Sequence, residues 1–136
     1  MRTTFIIAIL TLVSVAVHAQ TLREQSECAK AGERQFKRAG FSFEDASLYT
    51  HYNPKLGHCY AMFVKTTFDH THIILSRDLV DGIEGTKMAQ GMWIDDAKGY
   101  NPHALCEVEM PNGDTKFCAN MDEFDALVLS NYGLKY

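Results

Sequence analysis

The 136-residue chain is poor in the residues that keep a polypeptide unfolded or fibrous. It has only 9 Gly and 3 Pro and no long polar tract, while 46% of its residues are hydrophobic, which excludes a disordered or collagen-like chain. It lacks an excess of positive charge, with 13 Lys and Arg against 17 Asp and Glu. Its densest basic stretch, Arg34-Gln35-Phe36-Lys37-Arg38, is short and soon followed by Glu44 and Asp45. A protein that binds by neutralising phosphates needs clustered cations, so nucleic acid is excluded as a partner. Catalytic signatures are missing too: there is no GxSxG elbow, HExxH, Walker loop or GxGxxG. Gly82-Ile83-Glu84-Gly85-Thr86-Lys87 imitates a phosphate loop but lacks its spacing and its strand-to-helix context, and Gly85-Thr86 reads better as a turn. No specific activity is legible, and no cofactor is called for.

What is present begins with an export signal. Met1-Arg2-Thr3-Thr4 carries one positive charge, residues 5–17 form an uncharged apolar run, and Val17-His18-Ala19 precedes Gln20 as a small-residue cleavage site. The run is short of the roughly 20 residues that a membrane-spanning helix requires. Residues 1–19 are therefore expected to be a signal peptide and residues 20–136 a single α+β domain, located in the periplasm or secreted, with no membrane attachment after cleavage. The mature domain would carry 12 basic and 17 acidic residues. At that size it can remove about two thirds of its unfolded surface from water.

Four cysteines, Cys28, Cys59, Cys106 and Cys118, fall in the mature region, and an even count in an exported chain implies two disulfides. Neither a CxxC pair nor an odd thiol exists to suggest a nucleophile or a metal site. Between Cys106 and Cys118 lies Pro111-Asn112-Gly113, which suits a three-residue hairpin loop: a type I turn started by Pro, then Gly at the left-handed position. In that register Met110 faces Asp114 and Cys106 faces Cys118. Cys28 then pairs with Cys59 by elimination, closing a loop worth on the order of 3 kcal/mol.

Thr21-Leu22-Arg23-Glu24 has the form of a capping box, and Ala29, Gly32, Phe36 and Ala39 define a stripe that Gly40 ends, so a helix is predicted over 22–39. From Ala46 to Ala119 the pattern becomes short apolar runs separated by turns. Ser47–Tyr52 leads into a turn at Asn53-Pro54-Lys55-Leu56-Gly57, and His58–Phe68 follows. This strand is apolar on both faces over residues 59–64, hence central. His72–Arg77, Leu79–Glu84 and Lys87–Ile94 come next, and residues 95–102 are predicted to be the longest loop. Asn120-Met121-Asp122-Glu123 caps a second helix whose stripe is Phe124, Leu127 and Val128 and which Gly133 ends. The expected architecture is an N-terminal helix, an antiparallel meander of five or six strands and a C-terminal helix, with both helices on one face of the sheet.

Two constellations suggest chemistry. His70 and His72 in Asp69-His70-Thr71-His72 would point the same way in a strand and offer two nitrogen ligands to a metal, with Asp69, His51 or His103 as further donors. Glu107 and Glu109 alternate along a strand as paired carboxylates, and Asp95-Asp96 lies in the long loop. Solvation would leave such exposed groups at ordinary acidity. A binding surface is the competing constellation: Tyr49, His51, Tyr52, Trp93 and Tyr100 could anchor an interface, Tyr100 being best placed for exposure beside Asn101-Pro102.

The order of these features resembles a group of small exported bacterial proteins of unknown function. The residues carrying the likeness are Cys28, Tyr49-Thr50-His51-Tyr52-Asn53-Pro54-Lys55-Leu56-Gly57-His58-Cys59, Ile83-Glu84-Gly85, Cys106, Pro111-Asn112-Gly113, Cys118 and Glu123-Phe124-Asp125. The resemblance implies a periplasmic or secreted protein with both bridges, and brings no activity. Small size, export, acidity and the absent motifs give the reading of a monomeric, non-catalytic binding module. Its expected partner is an envelope or secreted protein, with an inhibitor or immunity-like protein as the concrete form. The alternative is a small metal-dependent or carboxylate hydrolase built on His70 and His72 or on Glu107 and Glu109.

Overall fold

The computed structural model describes the backbone of residues 4–69, 72–96 and 99–136, and the side chains of residues 21–69, 72–95 and 105–136. Its elements run α1 (Thr4–Arg38), β1 (Ala46–Asn53), β2 (His58–Asp69), β3 (His72–Asp81), β4 (Lys87–Asp96), β5 (Gly99–Glu109), β6 (Thr115–Phe117) and α2 (Met121–Tyr132). The six strands form one sheet in the order β1-β2-β3-β4-β5-β6, each antiparallel to its neighbour. The α+β meander with flanking helices is thus the architecture of the chain, and both disulfides, Cys28–Cys59 and Cys106–Cys118, are formed. Bridges of this kind suit an oxidising compartment. Among the described residues no helix is long and apolar enough to cross a membrane.

Several boundaries differ from the sequence reading. Helix α1 does not start at Thr21: it runs unbroken from Thr4, so the Thr21–Glu24 capping box lies inside a helix. Among its described residues Gly32 and Phe36 of the expected stripe are buried, with Cys28, Ala31 and Gln35, whereas Ala29 and Ala39 are exposed, because the buried stripe is rotated by about 50° from the expected one. The helix ends as expected at Gly40. With φ +84° there, Phe41 N–H reaches Phe36 C=O and Gly40 N–H reaches Lys37 C=O, the 6→1 and 5→2 pair of a Schellman stop. Phe41 packs on Phe36 beside it, ring centroids 5.5 Å apart. His72–Asp81 is one strand, not two, and the expected loop over 95–102 is a hairpin in which Asp95 pairs with Tyr100 and Asp96 with Gly99.

The helices do not share a face. Antiparallel register puts Tyr49, Met62, Leu79, Ala89 and Val108 on one side of the sheet, and Leu48, Phe63, Asp78, Gln90, Glu107 and Phe117 on the other. α2 covers the first side: Phe124, Val128 and Tyr132 pack with Tyr60, Met62, Leu79, Trp93 and Val108. α1 covers the second over β1 and β2, where Phe36 packs with Ala61, Phe63 and Val80 and Gly32 lies close to Thr50 and Ala61. Burial on both sides explains why Cys59–Phe63 is continuously apolar.

Turn chemistry holds the sheet ends. At the β1–β2 turn, Asn53 Oδ1 accepts the N–H groups of Lys55 and Leu56, and Asn53 Nδ2 donates to the Tyr132 carbonyl at the end of α2. At the β3–β4 turn, Asp81 Oδ1 accepts the N–H groups of Ile83 and Glu84 at 2.8 and 2.7 Å. Buried Gln35 of α1 donates to the Ile83 carbonyl at 2.7 Å and fills the space beside Gly85. At the β5–β6 hairpin, Met110 N–H bonds Asp114 C=O, Gly113 takes φ +87°, and Cys118 N–H bonds Cys106 C=O, the register expected from Pro111-Asn112-Gly113. Helix α2 starts at Asn120, whose Oδ1 accepts Glu123 N–H while Glu123 Oε2 accepts Ala119 N–H.

Candidate functional site

The turns at one end of the sheet, together with the end of α2, enclose a cleft of about 410 Å³ on the α2 side. Strand β2 contributes His58 and Tyr60, β3 contributes Asp81, the following turn Glu84 and Thr86, β5 Glu109, and α2 Tyr132. Tyr60 and Asp81 are register partners, so two adjacent strands bring the phenol and the carboxylate together. Tyr60 and Tyr132 meet edge to face with centroids 5.0 Å apart, and His58 lies over Tyr60 at 6.1 Å.

Asp81 is the organising group. It is 8% exposed, and a buried carboxylate is tolerated only when its oxygens are bonded. Oδ1 takes the two turn N–H groups described above, and Oδ2 lies 3.4 Å from His58 Nδ1. The Tyr132 hydroxyl donates to the Glu109 carbonyl. Burial first, then the charge of Glu109 and the neighbouring Tyr60, push the Tyr132 phenol up to about 12. Burial first and then Asp81 also raise Tyr60. Both phenols thus stay protonated in a negative field. The cleft is bordered by three acidic residues, Asp81, Glu84 and Glu109, and by no Lys or Arg; Glu109 meets it through the carbonyl that takes the Tyr132 hydroxyl, its charge near enough to act on that phenol. A second cleft of about 400 Å³ beside the Cys28–Cys59 bridge, on the α1 side, differs in carrying both signs: Glu24 and Glu27 with Lys30 and Arg34.

The residues singled out from sequence do not form one surface. Trp93 is 1% exposed, packed edge-on against Phe124 and over the Arg77 guanidinium, so it is a core residue and not part of an interface. Tyr49 is exposed and meets Tyr136 at a tilt, half-buried His51 lies near Gly133, and half-buried Tyr52 faces the opposite side against α1. Alternation along β1 separates them. The side chains of Tyr100 and His103 lie outside the described residues. His70 also lies outside them, while His72 pairs with Asp69 at the end of the sheet remote from the cleft. His51 is nine β2 positions away, ~30 Å at the rise of a strand, and cannot join His72 around one ion. Among the described residues no three His, Cys, Asp or Glu side chains come together as metal ligands. Glu107 accepts a hydrogen bond from Gln90 on the α1 side of the sheet. Its strand neighbour Glu109 borders the cleft.

Sequence reasoning missed His58, Asp81, Glu84 and Tyr132 as a group. The one local signal was Asp81-Gly82-Ile83-Glu84-Gly85, whose Asp is spaced to accept backbone N–H groups two and three residues on. No protein-family model, no curated protein and no solved structure matches this chain.

Proposed function

We propose that the chain is an exported, non-catalytic binding module of the periplasm or the medium, and that it contacts a protein partner through the cleft at the end of the sheet. The observation that carries this reading is the cleft itself: a preformed concavity with aromatic walls and a negative rim, held by hydrogen-bonded turns. Its central carboxylate is occupied in building its own turn, which suits a scaffold better than a proton-transfer group. All four cysteines are bridged and supply no nucleophile. Exposed Glu84 and Glu109 would steer a basic partner toward the cleft. An inhibitor or an immunity-like protein acting on an envelope or secreted protein is the form of function this supports.

The test is retention of partner proteins from envelope and culture extracts by the immobilised exported chain and by its Glu84→Gln/Glu109→Gln variant, with and without chelator. A single stoichiometric protein held by the wild type, insensitive to chelator and lost by the variant, is the expected result. No retained protein, or one held equally by the variant, contradicts the reading.

A further inference from the structure

The Tyr60 side chain is left with unfinished business in the cleft. The residue is 3% exposed, yet its hydroxyl makes no hydrogen bond to any described residue, although it borders an open concavity. The ring is enclosed while the hydroxyl opens onto the cleft, so its bonding capacity is available to a guest, and a tyrosine in such a place normally uses it. Tyr132, its edge-to-face neighbour, has already spent its proton on the Glu109 carbonyl. Asp81 Oδ1 is likewise committed to the turn, while Oδ2, among the described residues, has only His58 Nδ1 beside it at 3.4 Å. The free capacity of the cleft is therefore a phenolic oxygen able to accept, the outer lone pairs of the carboxylates, and the faces of aromatic rings.

We infer that the cleft takes the ammonium or guanidinium end of a basic side chain, with Tyr60 Oη and the carboxylates of Asp81 and Glu84 accepting its N–H groups and the charge of Glu109 close by. This deepens the binding-module reading and rests on the cleft being its contact site. The chemistry is complementary in each part. An alkylammonium presents three donors and no acceptor, and a guanidinium five donors and no acceptor. The bordering groups offer acceptors, with no Lys or Arg to repel the guest. Tyrosine faces attract a cation electrostatically, and the apolar stem of Lys or Arg can lie along Leu56, Met88 and Pro111. An anion would meet three negative charges, and a neutral apolar guest would leave the phenol and carboxylates unpaired.

The experiment titrates the exported chain with the blocked single amino acids N-acetyl-lysine methylamide and N-acetyl-arginine methylamide, with N-acetyl-norleucine methylamide as the uncharged control, read by amide NMR shifts. The basic probes are expected to shift resonances of Tyr60, Asp81 and Glu84 while norleucine does not. Tyr60→Phe, which keeps the ring, should weaken them about fivefold, and Glu84→Gln/Glu109→Gln about tenfold or more, from the usual worth of neutral and charge-assisted hydrogen bonds. Both variants change polar tips only, and an unaltered spectrum away from the cleft confirms that they fold. Norleucine binding as well as lysine, or basic probes binding equally to wild type and both variants, overturns the inference. The two claims fail separately. A retained partner that millimolar lysine probe does not displace leaves the module standing and sinks the cation site. Basic probes that bind selectively when no protein is retained do the reverse.

Discussion

Replacing Gly91 by alanine tests the packing on which the cleft's scaffold depends. Gly91 lies two residues before Trp93 on the α2 side of β4, and the indole folds back over it. A β-carbon there would stand 2.7 and 2.9 Å from Cζ3 and Cζ2 of Trp93, and closer still to Cη2. Ordinary carbon contacts need about 3.5 to 4 Å, so the ring must retreat by about 1 Å or more. It has nowhere to go: Phe124 meets it edge-on with centroids 5.5 Å apart, and the Arg77 guanidinium, paired with Asp125, covers it at 5.6 Å. Overpacking of this kind costs about 3 kcal/mol at its upper end. Alanine returns about 0.5 to 1 kcal/mol relative to glycine within a strand. The net loss is about 2 kcal/mol, a fall of roughly 8 °C in melting temperature for a domain this size. Urea unfolding followed by circular dichroism would measure it in wild type and in Trp93→Phe, where the clashing far ring is gone. The alanine penalty should shrink to under about 1 kcal/mol in the Phe background. Equal penalties in the two backgrounds, or none in either, would refute the steric argument.

Other perturbations should act elsewhere. Gly113→Val forces a β-branched residue into φ +87°, and should lower stability by about 1 to 2 kcal/mol in thermal melts without changing the fold. Replacing Cys28 and Cys59 together by Ala should cost about 3 to 4 kcal/mol by denaturant titration, since the bridge closes 31 residues of chain separation and ties α1 to the sheet. The mass of the native chain should rise by two hydrogens per bridge on reduction, and alkylation of native protein without reductant would contradict both bridges. The raised phenols give an alkaline window. Tyr132 rises from 10.0 to about 12, and Tyr60 and Tyr136 are raised as well, each through burial first. A folded-state pKa above the unfolded one means that the fold prefers the protonated phenol. The stabilisation is therefore whole below pH 10 and lost as pH climbs from 10 toward 12. Unfolding free energy should fall over that interval, and Tyr132→Phe should flatten the fall. An unchanged slope in the variant would place the titrating group elsewhere.

The parts of the fold legible in sequence are those decided within a few residues. Pro111-Asn112-Gly113 fixes a loop type, the loop fixes a register, and the register aligns Cys106 with Cys118. Asn120 with Glu123 marks the start of α2, and Gly133, at φ +72°, marks its end. The placement of α1 and α2 on opposite faces follows from the residue types along β2. Cys59 commits the odd face of β2 to α1, so apolar Tyr60 and Met62 on the even face required a second layer. The start of α1 was misplaced because a capping box marks a start only where no helix already enters it. Trp93 could not be assigned to core or surface, since its burial depends on Gly91, Arg77 and Phe124 from three elements. The cleft was illegible for the same reason. Its residues come from three turns, four strands and a helix end, and only the meander's register and the α2 C-terminus bring Tyr60, Asp81 and Tyr132 within contact.

The most direct measurement is the retention of extracytoplasmic proteins by the immobilised chain, in parallel with its Tyr60→Phe and Glu84→Gln/Glu109→Gln variants. One stoichiometric partner held by wild type and weakened in both variants is the expected result. A partner held equally by all three, or none held by any, would contradict a function seated in this cleft.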